Sequence, residues 1–188
     1  QFDMTDLDAC RQALKGCYAD LVILCAGTCE YLERGIIDAE RVARVMTTNF
    51  MGPVNCLEAL QSQLISGSRV VLVSSMAHWL HFPRAEAYGA SKAALSWFAD
   101  CLRLDWEPKG VAVTVVSPGF VDTPLTRKND FPMPAQVSVE YAVKAIRRGI
   151  AKGKNHIAFP TAFGLTLRAL AGLPACLQRV LLRRMVRS

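Results

Sequence analysis

Tyr88 and Lys92 stand four residues apart in Tyr88-Gly89-Ala90-Ser91-Lys92, and Ser75 lies thirteen positions upstream. On a helix, residues i and i+4 share a face, so the phenol and the ammonium can approach one point. A free tyrosine, with a pKa of about 10, is a poor proton donor or acceptor at neutral pH. An ammonium within roughly 4–6 Å favours the phenolate and lowers that value. A serine hydroxyl at the end of a preceding strand can hold a carbonyl or alcohol oxygen beside the phenol. Together the three can move a proton on or off that oxygen. A Tyr-x-x-x-Lys spacing taken alone is usually a plain surface pair, so its weight depends on what surrounds it.

The elements around it alternate. Asp6 to Lys15 reads as a short amphipathic helix with Leu7, Cys10, Ala13 and Leu14 as its apolar stripe. Leu21 to Cys25 is an unbroken apolar run, which suits a parallel strand buried on both faces. Asp38 to about Leu64 is helical, with a break or kink expected near Gly52 and Pro53. Arg69 to Ser74 is the next buried strand, Tyr88 to about Trp106 a long helix, and Val111 to Val116 a strand after the Gly110 turn. Ser138 is placed to cap a helix ending near Gly153, on which Ala142, Ile146 and Ile150 stack, and His156 to Phe159 is a short final strand. This pattern predicts an α/β fold with a doubly wound parallel sheet, whose ligands sit beyond the strand carboxyl ends. Cys25-Ala26-Gly27, Ser75 and Pro118-Gly119 all fall at such ends.

The motifs resemble those of the short-chain dehydrogenase/reductase family. Val70-Val71-Leu72-Val73-Ser74-Ser75 followed by Tyr88 and Lys92 matches its strand, Ser-Ser and Tyr-x-x-x-Lys pattern. Asn49-Phe50-Met51-Gly52 is similar to its Asn-x-x-Gly, and Ser117-Pro118-Gly119-Phe120-Val121-Asp122-Thr123 to its Pro-Gly…Thr segment. The resemblance runs from Phe2 to about Phe159 and implies a catalytic set of Asn49, Ser75, Tyr88 and Lys92. It implies NAD or NADP as cofactor: Asp3 and Met4 at the adenine, Cys25, Ala26 and Gly27 at the ribose, Lys92 and Tyr88 at the nicotinamide ribose. Pro118, Gly119 and Thr123 would line the nicotinamide pocket. Cys25 departs from the family's usual asparagine, which weakens support at that point but leaves the backbone of Ala26 and Gly27 able to pack on a ribose.

The family's Gly-rich phosphate turn has no counterpart here, since no two of the 12 glycines are separated by a single residue. The resemblance therefore implies a Rossmann-like sheet incomplete at its N-terminal side, with on the order of fifty residues expected upstream. Residues 1–160 form the expected oxidoreductase domain and 161–188 a basic, apolar C-terminal segment. A chain of 188 residues with 52% hydrophobic and 20% charged residues suits one well-packed domain and argues against disorder. Seven scattered cysteines, with no Cys-x-x-Cys and His at ligand spacing, indicate neither a zinc site nor a disulfide framework. Reduced thiols and a cytoplasmic location follow.

Each residue has a plainer alternative. Asn49 could simply kink its helix, Ser74 could replace Ser75, and Thr123 could be a turn residue. Spacing to Tyr88 favours Ser75, with Ser74 supporting the strand end. His78, Trp79 and His81 could touch substrate, although loop histidines more often face solvent. The net charge of +6 owes much to Arg168, Arg179, Arg183, Arg184 and Arg187, set among leucines, valines and Met185. These interruptions exclude a spanning helix of about 20 apolar residues. The segment could lie on an anionic membrane, on the body or on another subunit. Nothing marks a nucleic-acid binder.

The resemblance thus implies interconversion of an alcohol and a carbonyl by hydride transfer, with Tyr88 as general acid or base. The loop Pro124 to Val137, with Phe131, Pro132, Met133 and Pro134, reads as a lid over a hydrophobic substrate. The alternative is a nucleotide- or lipid-binding protein on the same fold with little turnover. The family commonly pairs through its two long helices, and Leu95, Phe98, Leu102, Trp97 and Cys101 make the second one apolar around much of its circumference, so a homo-oligomer is expected.

Overall fold

The structure, a computed structural model, describes residues 1–186, with side chains through Arg183. Arg187 lies outside the described residues, as do the side chains of Arg184 and Met185. Four strands, β1 (Leu21–Leu24), β2 (Arg69–Val73), β3 (Ala112–Pro118) and β4 (His156–Phe159), form one parallel sheet in that order. Their alternation divides the core between two faces. Val70, Leu72, Val113 and Val115 point to one side, against Leu57 and Leu60 of α3 (Gly52–Leu60) and Leu95, Ala99 and Trp106 of α4 (Glu86–Trp106). Val71 and Val116 point to the other, against Ala142, Ile146 and Ile150 of α5 (Val139–Ala151). Six central valine and leucine side chains are at most 1% exposed, each contributing about 1.5–3 kcal/mol over an exposed position.

The caps follow their residue types. Asp6 accepts from the N–H groups of Asp8 and Ala9 to open α1 (Leu7–Leu14), and Asp38 accepts from Arg41 N–H to open α2 (Ala39–Met46). Ser138 accepts from Tyr141 N–H at the start of α5. Gly110, at φ +72°, turns the chain out of α4 into β3, a conformation that disfavours a side chain.

Three expectations are corrected. β1 is an edge strand with Leu21 and Ile23 exposed, because helices cover only its Val22 side among the described residues. The helix expected from Asp38 to Leu64 ends at Leu60, and its interruption comes before Gly52, as a π-helical turn over Thr47–Met51. There the Gly52 N–H reaches back five residues to the Thr47 carbonyl, and Pro53 continues the helix at its first turn. α4 begins at Glu86, so Tyr88 lies within its first turn.

The C-terminal segment folds into α6 (Thr161–Ala171) and α7 (Ala175–Val186). Leu167 of α6 is buried with Met76 and Leu80, and Leu182 of α7 packs on the same cluster. Leu177, Val180 and Leu181 remain exposed. No described helix is long and apolar enough to cross a membrane.

Candidate active site

Ser74 and Ser75 directly follow the strand β2, and the long helix α4 returns across that end. Ser75 is extended (φ −162°, ψ 154°), and its hydroxyl accepts the Ala77 N–H at 3.2 Å to cap the short 3-10 turn Met76–His78. A serine oxygen that accepts one bond still has its O–H to donate. Tyr88 lies beside this hydroxyl, and Lys92, one turn further along α4, sends its ammonium to 5.9 Å from the Tyr88 ring centroid. The same Nζ donates to the Val73 carbonyl at 2.9 Å.

Asn49 sits in the π-helical turn and is fully buried. Its Oδ1 accepts the Thr28 N–H at 2.8 Å, and its Nδ2 donates to the Thr28 carbonyl at 2.8 Å and to Ser91 Oγ at 2.9 Å. Ser91 in turn donates to the Tyr88 carbonyl at 2.8 Å. Gly27 closes the group. A Cβ placed there would stand 3.3 Å from Asn49 Oδ1 and 3.3 Å from Lys92 Nζ. The structure thus gathers Gly27, Asn49 and Lys92, and sets Tyr88 and Ser75 beside them.

The electrostatics run against the expectation that lysine dominates. Burial pushes the Tyr88 phenol up to about 12, and the neighbouring Ser75 hydroxyl only partly offsets it. Lys92, 4% exposed, is driven down to about 8 by burial, with the nearby Cys25 and Cys29 thiols pulling the other way. Desolvation disfavours the charged form of both groups.

The remaining expected cofactor residues divide. Met4 packs its side chain on Gly52, where a Cβ would lie 2.9 Å from both Met4 Cγ and Cε. The segment is held by Asn55, whose Nδ2 donates to the Met4 carbonyl at 3.1 Å, and by Cys10 Sγ, 3.5 Å from that carbonyl. Asp3 turns back on itself, accepting from the Thr5 N–H and hydroxyl at 2.8 Å each. Cys25 is exposed at the end of β1. Pro118 ends β3, and the Phe163 ring covers Gly119, 3.1 Å from where a Cβ would be. Thr123 Oγ1 is engaged with Thr126 Oγ1 at 3.1 Å, which makes its local turn role visible. Among the described residues no three His, Cys, Asp or Glu side chains converge as metal ligands.

The loop after Thr123 is pinned over this end of the sheet. Phe131 meets Tyr31 edge-on at 5.8 Å and Phe120 at 6.1 Å, and Phe120 lies 6.2 Å from Phe163. The Tyr31 hydroxyl donates to Asn129 Oδ1 at 2.8 Å. Arg84 bridges Glu33 at 2.7 Å and Asp130 at 2.8 Å. Sequence reasoning missed Thr28, Tyr31, Asn55, Arg84 and Ser91. Only Ser91, directly before Lys92, carried a visible signal; the others meet across 46 or more positions or through backbone atoms. His81 lines a shallow groove with Pro83, Gln178 and Leu182, whereas His78 turns inward.

A family model described as short chain dehydrogenase matches residues 1–132. The chain is 34% identical over 181 residues to an uncharacterized oxidoreductase of Myxococcus xanthus, covering 93% of this chain and 72% of that protein. It is 38% identical over 135 residues to dehydrogenase/reductase SDR family member 7B of Xenopus laevis, covering 66% of this chain and 41% of the relative. A short chain dehydrogenase from Burkholderia cenocepacia, solved with NADP, superposes with a TM-score of 0.85 at 24% identity over 97% of this chain and 77% of that one. One from Burkholderia phymatum, solved with NAD, gives 0.77 at 18% identity over 89% and 72%. At these identities the two structures speak for the fold.

Proposed function

The chain belongs to the short chain dehydrogenase family, and from that premise we propose that it interconverts an alcohol and a carbonyl by hydride transfer, using NAD or NADP. The observation that carries this reading is the convergence of Gly27, Asn49 and Lys92 beside Tyr88 and Ser75. The cofactor fits this place. Gly27 brings bare backbone up to a buried ammonium, where even a Cβ would stand 3.3 Å from Lys92 Nζ, at the strand carboxyl ends where such sheets take nucleotides. Asp3, Met4, Cys25, Ala26 and Gly27 would hold its adenosine side, with Lys92, Pro118, Gly119 and Thr123 at the nicotinamide. When bound, NAD(P) supplies or accepts the hydride.

This chain's own residues handle the oxygen and its proton. Ser75 Oγ donates to the substrate oxygen and holds it beside the phenol. In the reduction direction Tyr88 gives its proton to that oxygen and becomes the phenolate; in oxidation the phenolate takes the proton of the alcohol. Lys92 restrains the charge that develops on Tyr88, and Asn49 keeps the loop at Thr28 against the turn bearing Ser91. The rings of Tyr31, Phe120, Phe131 and Phe163 support an apolar substrate.

Tyr88→Phe tests the reading in the natural-length protein, with consumption of NADPH or NADH followed across a panel of aliphatic and aromatic carbonyls. Loss of the proton donor should lower kcat by at least about 10²-fold. An equally active Phe variant removes Tyr88 from this role. Cofactor binding without turnover on any carbonyl or alcohol would favour the nucleotide-binding alternative.

A further inference from the structure

Val73, Ser74 and Ser75 are consecutive, and each is fastened by a different bond on the side where α4 crosses the strand end. Lys92 Nζ holds the Val73 carbonyl. Ser74 Oγ lies 3.0 Å from the Lys92 carbonyl and 2.7 Å from Ser96 Oγ, and Ser96 Oγ lies 2.8 Å from the same carbonyl. His78 Nδ1 lies 2.6 Å from the Ser75 carbonyl, 3.2 Å from Ser96 Oγ and 3.4 Å from Ser74 Oγ. A carbonyl only accepts, so Nδ1 carries the proton and donates it to Ser75.

This cluster is enclosed. Ser74 and Ser96 are 3% and 6% exposed, and the imidazole stands edge-on to Trp79 at 5.2 Å. Trp79 is covered in turn by the Arg168 guanidinium, 4.5 Å from its ring. In such surroundings the bonds are strengthened, and losing one leaves a buried polar group unpaired. Fixing the Ser75 carbonyl fixes the peptide plane that follows it. The Ser75 hydroxyl caps that same turn through Ala77 N–H. The histidine, the turn and the serine hydroxyl therefore move as one unit.

We propose that His78, together with Ser74 and Ser96, is a positioning residue: its Nδ1–H on the Ser75 carbonyl sets the aim of Ser75 Oγ toward Tyr88, while the two hydroxyls hold the turn of α4 that bears Lys92. This rests on the reading of Ser75, Tyr88 and Lys92 as the oxygen- and proton-handling set. In this role His78 acts through Ser75. Its Nδ1 partners are one backbone carbonyl and two buried hydroxyls.

The experiment uses the natural-length protein with NADPH or NADH and the best carbonyl of the panel. His78→Asn can present an N–H near the Nδ1 position, whereas His78→Gln presents it one bond further out and His78→Leu has none. His78→Leu and His78→Gln should lower kcat about tenfold or more while cofactor KM stays within about twofold, as for a lost aim rather than lost binding. His78→Asn should recover most of kcat. Ser96→Ala, a smaller change that leaves the ring in place, should give an intermediate loss. Where Leu destabilises the fold, the Asn and Gln pair decides the matter by the same split. Equal kcat for Asn and Gln variants of similar thermal stability overturns the proposal, as does a folded Leu variant with wild-type kcat. If those variants are fully active while Tyr88→Phe is dead, only His78 loses its role; an active Tyr88→Phe sinks both readings.

Discussion

The Asn49 carboxamide pairs with the backbone of Thr28 through two hydrogen bonds of 2.8 Å each, accepting the N–H and donating to the carbonyl. A side chain here reproduces what a neighbouring strand would offer. It thereby fastens the loop after β1 to the turn preceding α3. The second Nδ2 hydrogen goes to Ser91, which joins both to the start of α4.

Asn49→Asp keeps the shape and the acceptor but removes both donors and introduces a buried negative charge. Stability should fall by about 1–3 kcal/mol, with activity falling alongside it. Urea unfolding of the two proteins checks this. A change below about 0.5 kcal/mol would mean that the Thr28 pairing holds nothing.

Gly27→Ala is a sharper probe of the cofactor side. Contacts of 3.3 Å to Asn49 Oδ1 and Lys92 Nζ can be relieved by small shifts, so the fold should survive. Stability should change by less than about 1.5 kcal/mol. The added methyl occupies space beside the ammonium, and the KM for NADP or NAD should rise about tenfold, equivalent to roughly 1.4 kcal/mol. An unchanged cofactor KM would place the nucleotide elsewhere.

Lys92 makes stability depend on pH in a definite direction. Its pKa is about 8 in the folded chain, against about 10.4 when unfolded. Below pH 8 both states hold the proton, and folding bears the full cost of a buried ammonium. Between the two values the folded state releases its proton first, so stability rises with pH, by roughly 3 kcal/mol at most. Lys92→Met has no proton to release. Its stability relative to the parent protein should therefore drop between pH 7 and pH 10, and an unchanging difference in urea midpoints would contradict the shift.

The outer face of α4 carries the proposal of self-association. Leu95, Phe98 and Leu102 turn to the sheet, whereas Trp97 and Leu104, seven residues apart on one face, are 77% and 71% exposed. Light scattering on the natural-length protein should give at least twice the protomer mass, and Trp97→Glu should shift it toward one protomer. If the parent protein is already monomeric at tens of micromolar, this face has no second copy upon it.

Much of this was legible because one element at a time determines it. Unbroken runs such as Val70 to Val73 mark strands inside a parallel sheet, and Ser138 and Asp6 cap the helices that their spacing implies. Helical periodicity sets Tyr88 and Lys92 on one face, and the strand end at Ser75 gives that pair its weight. What stayed hidden depends on partners distant in sequence. Val22 looks like any strand residue until the sheet shows which side of β1 is covered. His78 looks like a loop histidine until Ser74, Ser75 and Ser96 surround it. The opposed shifts of Tyr88 and Lys92 depend on how completely the fold encloses them, which spacing does not encode.

The π-helical turn at Thr47–Met51 has a consequence for how this chain can vary. A wide turn accommodates one more residue than a regular helix would at the same place. Deleting a single residue there would let the helix close into the ordinary pattern, and Leu57 and Leu60 would keep their phase against the sheet because the wide turn had absorbed the extra residue. The residues of the turn itself would be redirected, and Asn49 would lose its aim at Thr28. Substitutions within the turn alter contacts one by one, but a change of length disturbs the site while sparing the core. Natural variants of this segment should therefore differ in letters far more readily than in number.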